Sequence, residues 1–119
     1  MRSDRLNTIL SELNGSSADI EGSAVVSTDG FLINSLLPAG MDDDKVSAMT
    51  AALLSLSNHT AEELARGSLE QVLIKGEYGY ILMSYAGPEA IVIVLTKPEA
   101  RLGLIFLDIT RAADEVQKI

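Results

Sequence analysis

The sequence has no cysteine, no tryptophan and a single histidine in 119 residues. Without cysteine there is no disulfide, no zinc–thiolate centre and no thiol nucleophile. One histidine, His59, excludes multi-histidine metal sites and histidine-based triads. No serine sits in a Gly-x-Ser-x-Gly elbow. A phosphate-binding loop is also missing. The nearest glycine pair, Gly76 and Gly79, reads as a turn and is followed by Tyr80 rather than by Lys and Ser or Thr. Nucleotide hydrolysis is therefore not expected, and neither is a cofactor or a metal. Positive charge is scarce as well. Nine Lys and Arg stand against 17 Asp and Glu, for a formal net charge of −8. Such a surface repels nucleic-acid phosphates and anionic membranes. The longest apolar run, Ala90 to Leu95, is far short of the roughly 20 residues of a membrane span. The first residues, Met1 to Arg5, lack the apolar core of a signal peptide. A reducing, cytoplasmic setting is the expectation.

Hydrophobic residues make up 47% of the chain and aromatics only 4%, so the core must be aliphatic. The length suits one domain over residues 1–119. Leu6, Ile9, Leu10 and Leu13 recur at helical spacing, and Asn14-Gly15 follows as a stop. Gly22 to Ser27 and Phe31 to Leu37 read as two strands around Asp29-Gly30. That pair predicts a tight hairpin of type I′, in which both central residues take positive φ. Asp42-Asp43-Asp44 opens a long helix to about Ala65, with carboxylates at the positive end of its dipole. The three acids lack the alternating spacing of a calcium loop, so capping is the reading preferred. Leu69 to Lys75, Tyr80 to Tyr85 and Ala90 to Thr96 follow as strands. The last is apolar from Ala90 to Leu95, which predicts burial on both faces near the sheet centre. Pro98 leads into a final helix, about Arg101 to Lys118, with Leu102, Ile105, Ile109, Ala112, Ala113 and Val116 on one face.

The predicted order is α-β-β-α-β-β-β-α, an α/β (α+β) domain with a five-stranded antiparallel sheet. Two helices are expected on one face and the middle helix on the other. The middle helix carries two stripes. Val46, Met49, Leu53, Leu56 and Leu64 are bulky and are expected to serve the sheet. Ala48, Ala52 and Ser55, continued by His59, form a stripe of small residues suited to close approach of a second helix. The third strand is mostly apolar, and at a sheet edge it would invite a second copy.

This element order resembles the Roadblock (dynein light chain) family, with its profilin-like layout. The matching pieces are Gly22 to Gly30, Leu69 to Lys75, Gly79 to Met83, Ala90 to Leu95 and Arg101 to Ile105, spread over about Leu6 to Val116. The resemblance implies a non-enzymatic adaptor. It implies dimers that join sheets edge to edge and pair their middle helices, and work beside Ras-like small GTPases as scaffold or regulator. Arg66, Arg101 and Arg111 carry no mark of an arginine acting in trans on such a partner. The expected homodimer contact is Ala48, Ala52, Ser55 and His59 with Leu69, Gln71 and Leu73. The rival expectation is a ligand-sensing or signalling adaptor of the same layout with no GTPase partner.

Overall fold

A computed structural model describes residues 2–119. The chain runs α1 (Arg2–Gly15), β1 (Ile20–Ser27), β2 (Leu32–Leu36), α2 (Asp43–Glu63), β3 (Gln71–Gly76), β4 (Gly79–Tyr85), β5 (Ala90–Thr96) and α3 (Leu102–Gln117). The eight elements come in the predicted order. The five strands form one antiparallel sheet in the order β2-β1-β5-β4-β3. The continuous apolar strand β5 lies at its centre, with Ala90 to Val94 all buried.

Alternation along the strands feeds two cores. Val92 and Val94 of β5 point with Val25 and Leu82 to the side of α1 and α3. Leu6, Leu10, Ile105 and Ile109 close that side with 0–2% exposure. Ile91 and Ile93 point with Ala24, Val26 and Met83 to the side of α2, where Leu54 covers them.

The β1–β2 hairpin differs from the type I′ expectation. Gly30 has φ 95°, but Asp29 keeps a negative φ. The Gly30 N–H donates to the Ser27 carbonyl (3.0 Å), and the Ser27 N–H donates to the Phe31 carbonyl (2.8 Å). This is the longer hairpin loop, a type I turn closed by one left-handed glycine. Ser27 explains the choice: its Oγ accepts from the Phe31 N–H at 3.0 Å and holds the wider turn.

Helix α2 starts as expected, with the Asp42 carboxylate accepting from the Lys45 N–H (3.1 Å). Its end is made without a glycine at the left-handed position. The Arg66 N–H reaches the Ala61 carbonyl (2.8 Å) and the Ala65 N–H the Glu62 carbonyl (3.1 Å). Those two bonds are a Schellman ending, and the left-handed position within it is held by Ala65, φ 58°.

Candidate functional site

Helix α2 begins beside β2, where Ser35 Oγ lies 3.4 Å from Asp43 Oδ2. Its second half reaches the start of β3, where the Leu69 N–H donates to Asn58 Oδ1 (2.9 Å). On the way it passes the strand ends that carry the turns. Ala48 and Ala51 lie over Gly30, and Tyr85 Oη donates to the Leu54 carbonyl (3.4 Å). The helix thus crosses from one sheet edge to the other near one end of the strands.

The ridge that meets the sheet is Ser47, Thr50 and Leu54, with Ala51, Asn58 and Ala61 half-buried beside it. The bulky stripe does not serve the sheet as expected. Met49 is 57% exposed, Leu56 63% and Leu64 65%, while Val46 and Leu53 are half-buried. The ridge that does meet the sheet carries two hydroxyls, on Ser47 and Thr50, which hydrophobic periodicity passes over. Ser47 Oγ satisfies itself on the Asp43 carbonyl (2.8 Å), so burying it costs little. Ridge positions recur at steps of three and four, and that spacing was the available signal. Ala48, Ala52, Ser55 and His59 form the opposite flank, and all four are exposed. His59 Nε2 lies 3.9 Å from Glu63 Oε1, an open surface pair.

The two flanks look in different directions. The small flank faces the turn-bearing strand ends. There Ser55 and Asn58 border an open groove of about 610 Å³ with Ser68, Leu69, Tyr85 and Pro88. No charged side chain lines it. The bulky flank looks back over the rest of the sheet. Val72, Ile74, Ile81 and Leu95 there are only half-buried, packed on the same cluster as Val46 and Leu53. The result is an apolar trough, with α2 as one wall and no opposite wall among the described residues.

The trough runs out at β3, one of the two sheet edges. Leu69 and Gln71 are half-buried, and Leu73 is 43% exposed on the side of α3. Gln71 Nε2 bonds Thr110 Oγ1 at 3.2 Å, which ties α3 to the same edge. The two edges are unlike. All six residues of β3 pair with β4 in unbroken register. The shorter β2 carries a bulge at Ile33, where the register against β1 slips, and Pro38 follows it. Short length, a bulge and proline are devices that blunt an edge against pairing. β3 has none of them.

Among the described residues no three acidic or histidine side chains converge as a metal site. Gly76 and Gly79 face each other across the β3–β4 turn.

Fold and surface together define a class: an α/β domain wrapped around one antiparallel sheet, sealed on one face and left open on the other beside an edge without bulge or proline. The family model described as the Roadblock/LC7 domain matches residues 6–96. The chain belongs to the Roadblock/LC7 family. Uncharacterized protein MJ0310 of Methanocaldococcus jannaschii is 43% identical over 112 residues, 94% of this chain and 96% of that one. Among solved structures, Myxococcus xanthus MglB superposes with a TM-score of 0.90 at 20% identity, over 98% of this chain and 87% of that one. A Roadblock/LC7 domain from Streptomyces avermitilis gives 0.86 at 19% identity, over 93% of each chain.

Proposed function

We propose that two copies of the chain pair through β3 and the open side of α2, and that the dimer is a non-catalytic cytoplasmic scaffold or regulator of a small Ras-like GTPase. The observation that carries the pairing is the meeting of the trough and the unguarded β3 edge at one place. A twofold axis at β3 brings a second α2 onto the same face of a continuous sheet. The helices then run antiparallel across the axis, and each turns towards it the flank that looks over the sheet. That flank is Leu53, Leu56 and Leu64 rather than Ala48, Ala52, Ser55 and His59. Antiparallel pairing of β3 also sets the Glu70 end of each strand against the Lys75 end of the other. Leu69, Gln71 and Leu73 lie at the seam. Membership of the Roadblock/LC7 family supports the GTPase reading, since the family's adaptors work beside such enzymes. No helix among the described residues is long and apolar enough to cross a membrane.

Light scattering on the purified chain is expected to give twice the 12.7 kDa mass at micromolar concentration. Leu56→Glu is expected to yield a folded monomer by circular dichroism, whereas Ala52→Arg leaves the dimer in place. The reverse pattern moves the contact to the small flank. The tagged dimer, incubated with native lysate plus GDP or a GTP analogue, is expected to retain a Ras-sized GTPase in one nucleotide state. Retention of a kinase, or of nothing, favours the ligand-sensing or signalling adaptor instead.

A further inference from the structure

We propose that the β3–β4 turn of each copy docks into the groove beside α2 of the other, with Tyr78 as the inserted side chain. The inference rests on the β3 pairing described above and goes beyond it by completing the groove with a residue from the second copy. Tyr78 sits at the tip of a two-residue turn between Gly76 and Gly79 and is 82% exposed. Among the described residues no hydrogen bond or burial makes use of that ring. The groove is bounded at the β3 edge by Ser68 and Leu69.

Register joins the two features. Opposed residues in an antiparallel pair share a face, so the twofold axis must pass through a residue of β3 rather than between two. With Leu73 on the axis, Ser68 stands opposite Tyr78 of the second copy. A shift of the axis to Val72 or Ile74 moves the turn by two residues along the strand, about 7 Å. In every case the turn of one copy ends beside the groove of the other.

The chemistry fits the same occupant. Leu69, Tyr85 and Pro88 give the groove an apolar floor, and Ser55 and Ser68 give it hydroxyls at the rim. A phenol ring has an apolar body and one hydroxyl that needs a partner. A charged side chain would find no counter-charge in the lining.

The chain has no cysteine of its own, so single-cysteine variants report on this contact directly. Ser68→Cys and Tyr78→Cys proteins, one of them size-tagged, are unfolded together, refolded as a mixture and treated with a short thiol-to-thiol cross-linker. The expected product is a covalent pair of tagged and untagged chains, absent when either variant is treated alone. In parallel, Tyr78→Ala is expected to raise the dimer dissociation constant about tenfold, and Tyr78→Phe far less. A mixture that stays dimeric by light scattering without the mixed cross-link, with Tyr78→Ala unchanged in affinity, overturns the docking and leaves the β3 pairing standing. Wild-type protein that is monomeric at micromolar concentration overturns both.

Discussion

The two faces of the sheet are built to different degrees of completion. On the side of α1 and α3 two helices meet the strands, and Leu10, Ile105, Ile109 and Val92 are wholly out of water. On the side of α2 one helix crosses near the strand ends, and only Leu54 of its side chains seals apolar surface completely. Val72, Ile74, Ile81 and Leu95 wait half-covered. The contrast is one of completion. The first face holds the domain together, and the second leaves apolar area partly in water. Burial stabilises by roughly 25 cal/mol per Å², so covering the open area, as in the proposed dimer, would add to stability.

The sharpest way to break this comparison is to cut into the closed face. Ile109→Ala, at 0% exposure, is expected to cost about 3–4 kcal/mol, read as a fall in the urea midpoint that is the same at every protein concentration. Ile81→Ala, on the open face, is expected to cost about 1–2 kcal/mol. Its loss should grow with protein concentration if, as proposed, a second copy completes part of the contact. A concentration-independent loss as large as that of Ile109→Ala would erase the distinction between the faces.

Smaller changes sharpen it. Ala65→Gly is expected to raise stability by about 1 kcal/mol, since the left-handed position that ends α2 strains any residue with a Cβ. An unchanged or lowered thermal midpoint would argue that this α2 ending is not formed in solution. Leu56→Ser is expected to shift the stability of the dilute monomer by less than about 0.5 kcal/mol, as for an exposed position. A drop of several times that, at concentrations where the protein is monomeric, would place Leu56 in the chain's own core.

The closed face was legible from residue spacing, and the open face was not. Leu6, Ile9, Leu10 and Leu13 announce α1, as Ile105, Ile109 and Val116 announce α3, because large apolar residues at helical steps have no other use there. β5 was placed at the centre by its unbroken apolar run. In α2 the same rule misled. Bulk was equated with the core, whereas Ser47 and Thr50 lie inside and Met49 and Leu56 outside. A hydroxyl that bonds its own helix is cheap to bury, and an exposed helix flank can be as apolar as a core. Periodicity alone cannot tell those apart. Strand order was equally hidden: which of β2 and β3 is the unguarded edge depends on a one-residue register slip and on β5 entering between two hairpins. The Asp29-Gly30 turn was found, but its type was set by the Ser27 hydroxyl, outside the dipeptide that signalled it.

The strand order also governs how the molecule can be made. β5 is the last strand in the chain and the middle one in the sheet, with Val25 of β1 paired to Val92 and Met83 of β4 to Ile93. A polypeptide leaving the ribosome first exposes two separate hairpins, β1–β2 and β3–β4, tethered by α2. Neither can bury its inner edge until the seventh element arrives. Assembly therefore ends in an insertion, with both hairpins gathered around a strand synthesised after them. Long-range pairing of this kind slows folding. Until that step the inner edges of β1 and β4 are open as well as the outer edges of β2 and β3, and a chain released before residue 90 lacks the strand that joins its two hairpins.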